Sequence, residues 1–153
     1  MRETEATAVL RRFIGMNASD FVPHREPLLL VDSIIDIGSD FTVCDWLVRD
    51  SAFMEPNHGV PAYTAIETMA QCTAVHAGVR ARMLGLEPPI GLLLGTRRFE
   101  CSVGYLGPGQ RYLARCDVLA RDEQGMSSFA CELLNAGKRI ASAKLAVLER
   151  LPG

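Results

Sequence analysis

The chain has 153 residues, of which 48% are hydrophobic and 22% are charged, with a formal net charge of −2 and an isoelectric point near 5.9. This composition predicts one globular domain over residues 1–153. The near-neutral charge gives no electrostatic basis for binding nucleic acid or an anionic membrane. No apolar run is long enough to span a bilayer and the N-terminal residues do not resemble a signal peptide, so we expect a cytoplasmic protein.

Five cysteines stand singly in apolar segments, without the spacing of a metal site or a CxxC motif. We predict buried, free thiols, and we expect neither a metal nor a bound cofactor. Cys72, near the turn that carries Glu67, is the one candidate for a nucleophile.

The first half of the chain predicts a short amphipathic helix over Glu3–Ile14, a region broken by Pro23 and Pro27, and then two β-rich runs. The runs, LLLVDSIIDIG ending at Gly38 and FTVCDWLVRD from Phe41, are typical of a hairpin. The segment from about Val60 to Leu84 is helical and has almost no polar face, which indicates a buried helix.

From Ile90 onward the sequence alternates strand-like runs with turn signals, which predicts four strands joined as a meander. An antiparallel sheet with a single long helix must wrap around that helix to bury its inner face. The sequence therefore predicts an α+β protein with the hotdog fold.

Three segments resemble the 3-hydroxyacyl-ACP dehydratases of fatty-acid synthesis: VPHREPLLLVD over residues 22–32, PAYTAIETMAQ over 61–71, and RRFECSVGYLGPGQRY over 97–112. The resemblance implies a hydro-lyase that converts 3-hydroxyacyl-ACP to trans-2-enoyl-ACP. It also implies an acyl chain carried on the phosphopantetheine of acyl carrier protein, and a homodimer or an oligomer of dimers. In that dimer the acyl tunnel lies at the interface, and the histidine and the carboxylate come from different subunits.

One loop departs from the family pattern. The family has a Gly-His-Phe-Pro loop some fourteen residues before the helix carboxylate, whereas here His58 stands only nine residues before Glu67. The GVPAYTAIETMAQ segment with LLLGTRRF is similar to a dehydratase branch associated with aryl polyene biosynthesis. That similarity implies a specialised pathway and leaves a heterodimer with a related dehydratase open.

Dehydration needs a base for the C2 proton, an acid for the departing C3 hydroxyl, and donors for the thioester oxygen. Glu67 is the best candidate for the acid, because an apolar helix would desolvate its carboxylate and favour the protonated form. The alternative is a carboxylate that interacts with the helix start. Tyr63 and Gln71 lie on the same helical stripe, and Gln71 either orients Glu67 or satisfies neighbouring backbone groups.

Two histidines are candidates for the base. His58 precedes the helix in the family's order. His24, within the Pro-His-Arg motif, is either a base or pocket residue, or a structural residue at the entry to the first strand. His76 is expected to be a packed or interface histidine, because it lies about 2.5 turns beyond Glu67.

Backbone N–H groups at the start of the long helix are expected to bind the thioester oxygen, with Ala62 at the family's glycine position and Pro61 in the first turn. Arg97 and Arg98 are candidates for binding the phosphopantetheine phosphate or the acidic carrier protein, although a solvated surface role is the simpler interpretation.

Two other functions remain open at this point. A hotdog acyl thioesterase would keep Glu67 as the residue that activates water. A catalytically silent subunit paired with an active relative is suggested by the shortened histidine loop.

Overall fold

The computed structural model describes residues 2–49 and 53–150. Within these ranges, two helices, two short 3-10 turns and eight strands follow one another. They are α1 (Arg2–Leu10), the 3-10 turns Arg11–Phe13 and Ala18–Asp20, β1 (Ile34–Ile37), β2 (Phe41–Leu47), β3 (Val60–Pro61), α2 (Thr64–Met83), β4 (Ile90–Cys101), β5 (Tyr105–Leu106), β6 (Arg111–Arg121), β7 (Met126–Asn135) and β8 (Lys138–Arg150).

The main sheet is antiparallel and has six strands in the order β1-β2-β6-β7-β8-β4, while β3 and β5 form a separate pair. Helix α2 contacts β2, β4, β6, β7 and β8, so the sheet curves around it. This is the hotdog fold that the sequence predicts. The predicted hairpin is also present as β1 and β2.

The predicted four-strand meander is wrong in one respect. Only β6, β7 and β8 follow one another, and β4 lies beside β8 at the sheet edge. One side of β6 is already paired with β2, from Phe41 opposite Asp117 to Leu47 opposite Arg111. Strand β4 therefore pairs with the free side of β8.

Helix α2 is the buried helix that the apolar pattern predicts, but it begins at Thr64 and not at Val60. Val60 and Pro61 form strand β3 of the small sheet instead, where Val60 pairs with Leu106. Packing around the helix is close: a Cβ at Gly78 would lie 2.0 Å from the carbonyl oxygen of Phe21. Only a glycine fits there without displacing the backbone.

The five cysteines are free, and four of them are buried. The Sγ atom of Cys72 lies 3.4 Å from the carbonyl oxygens of Thr42 and Ala114, and burial raises the pKa of this thiol well above its usual value. Cys72 is therefore a core residue and not a nucleophile.

Among the described residues, no helix is both long and apolar enough to cross a membrane.

His76 is a fully buried histidine in the middle of α2. Arg121 donates to its Nε2 at 2.8 Å, so the ring proton lies on Nδ1, which donates to the hydroxyl of Thr42 at 2.7 Å. Burial, assisted by the positive charges of Arg121 and Arg80, lowers the pKa of His76 to about 4. The imidazole is neutral and ties α2 to two strands.

The stability of the fold should depend on pH through His76. The unfolded chain takes up this proton near pH 6.5 and the folded chain only near pH 4, so the free energy of unfolding falls as the pH is lowered between these values. The full difference is about 3 kcal/mol. Urea unfolding of wild type and His76→Gln from pH 7 to pH 4 measures it, and the variant should have the shallower pH dependence. The exposed His58→Gln is the control, and equal slopes in all three proteins would contradict the assignment.

Candidate active site

Glu67 lies in the first turn of α2, facing the segment that leads into β1. Its side chain keeps 39% of its surface exposed in the single chain. The expected desolvation by an apolar helix is therefore not met within one subunit. Full removal of the Glu67 carboxylate from water would need a second chain or a ligand to cover it.

Gln71 fixes the position of this carboxylate. Its amide nitrogen donates to Glu67 Oε1 at 3.0 Å and to the carbonyl of Leu28 at 2.8 Å. Its amide oxygen accepts from the N–H groups of Leu30 at 2.8 Å and Val31 at 3.4 Å. All the hydrogen-bonding positions of the amide are used, so Gln71 contacts Glu67 and the neighbouring backbone groups together.

The same amide explains why the first predicted strand is short. The β-rich sequence predicts that the run from Leu28 to Ser33 is extended and paired with a strand. In the structure, β1 begins only at Ile34. Gln71 takes the backbone groups of Leu28, Leu30 and Val31 that a neighbouring strand would otherwise bind. Here a side chain of α2 forms the backbone hydrogen bonds that a paired strand would otherwise form.

His24 is the histidine that the structure places beside Glu67. Its Nε2 lies 3.9 Å from Glu67 Oε1, too far for a direct hydrogen bond but close enough for one bridging group. Arg25 holds the loop by donating to the carbonyls of Val22 and His24 at 2.8 and 2.7 Å. The buried Nδ1 of His24 has no partner in the described chain.

A narrow groove of about 130 Å³ begins at His24 and Glu67 and runs between α2 and the edge strand. Its floor is a stripe of small helix residues, Ala70, Ala74 and Ala77, and strand β4 supplies Leu92 and Leu93 to its wall. The lining is mostly apolar with the polar pair at one end, as in sites that bind a chain with a reactive head.

The start of α2 offers backbone donors, but Ala62 is not one of them. The Ala62 N–H already donates to the carbonyl of Gly104 at 2.9 Å, because the β3–β5 pair extends to that point. The N–H groups of Tyr63 and Thr64 have no backbone acceptor in the described part of the chain. The Thr64 hydroxyl is also buried without a partner.

Within the single chain, His58 lies away from Glu67 and His24. It is exposed, its Nδ1 is 3.0 Å from the carbonyl of Pro56, and its ring packs on Tyr105 at 5.0 Å between centroids. No contact between His58 and Glu67 is present within the described residues. The position fourteen residues before Glu67 is Phe53, which packs partly against the core.

The other predicted substrate-binding residues are dispersed. Pro61 is buried in β3, and the Tyr63 side chain is exposed at the helix start. Arg98, with φ of 53° in a bulge of β4, lines a cleft of about 420 Å³, and Arg97 lines another of about 410 Å³. Neither cleft contains a residue of α2. In the described chain no cluster of His, Cys, Asp or Glu is placed to hold a metal ion.

Comparison with known proteins gives a family match and a set of similar structures. The family model described as "ApeP-like: ApeP dehydratase" matches residues 16–151. The dehydratase heterocomplex ApeI:P from Xenorhabdus doucetiae contains a chain that is 25% identical, with a TM-score of 0.82 over 90% of this chain and 92% of that one.

Two further structures share the fold at lower identity. AziG from S. sahachiroi is 15% identical, with a TM-score of 0.61 over 86% of this chain and 99% of its own. A homologue of HP0420 from Helicobacter felis is 10% identical, with a TM-score of 0.63 over 86% and 85% of the two chains. These two likenesses concern the fold alone.

Replacement of Gln71 by methionine tests its place in the site. Gln71→Met keeps the side-chain length but leaves the buried Leu30 N–H and the Leu28 carbonyl unpaired, so the free energy of unfolding should fall by about 2–4 kcal/mol. Gln124→Met, at an exposed turn, should change it by less than about 0.5 kcal/mol. Denaturant unfolding measures both variants, and equal stability of the two would show that the four hydrogen bonds do not form.

Proposed function

The chain belongs to the ApeP-like dehydratase family, and on that premise we propose that it removes water from a 3-hydroxyacyl thioester carried by acyl carrier protein, in aryl polyene synthesis. The observation that carries the proposal is the pairing of Glu67 and His24 at the head of the apolar groove, with Gln71 holding the carboxylate.

Glu67 supplies the acid in this proposal. Gln71 donates to Glu67 Oε1, so that oxygen acts as an acceptor, and Oε2 is the oxygen that carries the proton when the group acts as an acid. Oε2 gives this proton to the C3 hydroxyl as the C3–O bond breaks, and the hydroxyl leaves as water. Fixing one carboxyl oxygen and leaving the other to react gives the acid a defined direction.

His24 supplies the base. A neutral imidazole takes the C2 proton, and the electrons of the C2–H bond form the C2–C3 double bond while the C3–O bond breaks. The N–H groups of Tyr63 and Thr64 are the donors available for the thioester oxygen as charge develops there. The cycle closes when the proton on His24 returns through a water to Oε2 of the neighbouring Glu67.

A related dehydratase subunit is the proposed partner. Support comes from the heterocomplex in which the similar ApeI:P chain is found, and from strand β4 itself. β4 is an edge strand, and Ile90, Leu92, Leu93 and Leu94 keep between 42% and 64% of their surface exposed. An apolar edge with free backbone groups favours pairing with a second chain. Such a chain would also cover Glu67 and close the groove.

The carrier protein is a further proposed partner. Arg97 and Arg98 lie on the same strand as that edge, and guanidinium groups bind phosphate well. Their clefts do not include the Glu67 groove, so in this proposal they contact the carrier or its phosphate and not the acyl chain.

A second candidate function is that of a silent subunit. The observation that favours it is Phe53, which stands where the family resemblance places the loop histidine. A partner that carries a complete site would then perform the chemistry. The two functions differ in whether Glu67 and His24 of this chain are needed for turnover.

The decisive assay supplies 3-hydroxyacyl-ACP to the purified protein, alone and with a related dehydratase subunit, and follows loss of water by mass spectrometry. Glu67→Gln and His24→Ala should each lower kcat by at least roughly a hundredfold, since each removes one proton-transfer group. His58→Ala should retain activity if the base is His24. Glu123→Gln, in the exposed turn between β6 and β7, is the control carboxylate.

The outcomes separate the candidates. Full activity in complexes that contain Glu67→Gln or His24→Ala would contradict the proposal and favour the silent subunit. Loss of activity in His58→Ala with full activity in His24→Ala would move the base to His58. Release of free acid in place of the enoyl product would indicate a thioesterase.

A further inference from the structure

The groove that begins at His24 and Glu67 runs along α2 in one direction. Its lining passes through Ala70 and Ala74 to Ala77, and it contains no described residue that precedes Glu67 on the helix. An acyl chain with its C2 and C3 atoms at Glu67 therefore extends towards Ala77. The thioester and the arm that carries it then leave in the opposite direction, over the beginning of α2.

Three exposed side chains, those of Tyr63, Tyr105 and His58, form an aromatic shelf at the beginning of α2. Tyr63 precedes Glu67 by four residues, so it lies one turn further out on the same face of the helix, roughly 6 Å along its axis. Tyr105 lies beside Pro61 in the β3–β5 pair, and its ring packs on His58 at 5.0 Å between centroids. Tyr63 and Tyr105 keep 62% and 40% of their surface exposed, and His58 is exposed as well.

The polar groups of the aromatic shelf are held in place and still have capacity to bind a ligand. The Tyr105 hydroxyl donates to Glu55 Oε1 at 3.2 Å, and the negative charge of Glu55 raises the pKa of Tyr105. Tyr63 also contributes to this shift, so the two tyrosines lie close to each other. The Nδ1 atom of His58 is 3.0 Å from the carbonyl oxygen of Pro56. A neutral ring that donates there presents its Nε2 atom as an acceptor.

Building on the proposed dehydratase function, we propose that the aromatic shelf binds the pantetheine arm of acyl carrier protein. Tyr63, Tyr105 and His58 are then binding residues that make turnover depend on the length of the arm. His58 has a role in this proposal that differs from that of a base.

The pantetheine arm matches the aromatic shelf in its chemistry. The arm is uncharged and contains two amide groups and two geminal methyl groups, so it needs hydrogen-bond partners and an apolar surface together. Its N–H groups can donate to Nε2 of His58 or to the Glu55 carboxylate, and the Tyr63 hydroxyl can donate to an amide carbonyl. The methyl groups can pack on the rings. The charge of Glu55 disfavours a phosphate at the shelf, in agreement with a phosphate at the other end of the arm.

Two other roles fit the aromatic shelf less well. Within the described residues His58 makes no contact with Glu67, so it is not placed to act as the base for a substrate in the groove of the same chain. A cluster that only stabilised the fold would bury its rings, because burial is what makes aromatic side chains stabilising. Exposed rings beside the path of the arm are suited to bind a ligand.

The test uses ketone analogues that lack the 3-hydroxyl group and carry a methylene group in place of the thioester sulfur, so they cannot react. One saturated acyl group is attached in this way to N-acetylcysteamine, pantetheine, coenzyme A and acyl carrier protein. Calorimetry measures binding to the full chain, with its dehydratase partner where a complex forms. The wild type should bind the pantetheine form roughly tenfold more tightly than the N-acetylcysteamine form, because only the longer arm reaches Tyr105 and His58.

Three variants make the result specific. Tyr105→Ala and His58→Ala should each reduce this difference to about threefold or less, while Tyr105→Phe keeps the ring and should retain most of it. Met126→Ala, exposed at the beginning of β7, is the control and should bind as wild type. Equal binding of the two arms by wild type, or an unchanged difference in both alanine variants, would overturn the proposal. Tighter binding of the coenzyme A form than of the carrier-protein form would overturn the carrier as the source of the arm.

Kinetics of the same variants separate binding from proton transfer. With 3-hydroxyacyl-ACP, His58→Ala should raise KM and leave kcat within about twofold, whereas loss of a base lowers kcat. If the pantetheine form is preferred but no hydroxyacyl-ACP is dehydrated, the dehydratase proposal fails and the arm site stands. If dehydration occurs but the two arms bind equally, the role of the aromatic shelf fails and the dehydratase proposal stands.

Discussion

The site depends on one buried amide. Gln71 uses both N–H groups and its oxygen to hold Glu67, Leu28, Leu30 and Val31 together, and thereby joins the central helix to the segment that enters the sheet. This segment carries His24 a few residues earlier, so the amide sets the relative position of the acid and of the candidate base. Because a half-satisfied buried amide is costly, the arrangement tolerates little variation in either element.

Much of the fold could be predicted from the sequence because it follows from hydrophobic pattern. The sequence predicts the apolar helix, the hairpin and the C-terminal strands, because burial sets the spacing of apolar residues and the length of each element. Two features could not be read in this way. The position of β4 depends on which strand edge is already occupied. The short β1 depends on Gln71, a side chain far along the chain that binds the backbone of the residues before β1. Long-range hydrogen bonds leave no local periodicity.

The candidate site was predictable in its helix half and less so in its loops. The spacing of Glu67 and Gln71 by four residues predicted their contact, because such residues are neighbours on a helix. Sequence order favoured His58, whereas the fold places His24 beside Glu67. The sequence signal for His24 is the Pro-His-Arg motif, and in the structure Arg25 of that motif donates hydrogen bonds to the loop backbone. Exposure of Glu67 and of β4 has no sequence signature, and both are the basis for the proposal that a second chain covers the groove.

Subunit complementation tests most directly the claim that His24 and Glu67 of one chain form the acid-base pair. Glu67→Gln and His24→Ala proteins are mixed under conditions that exchange subunits and without the related dehydratase subunit, so that every assembly contains only copies of this chain, and dehydration of 3-hydroxyacyl-ACP is measured. A pair within one chain predicts that the mixture stays as inactive as its components, because no chain regains both residues. Restored activity in the mixture would show that the two groups meet across subunits and would contradict the account.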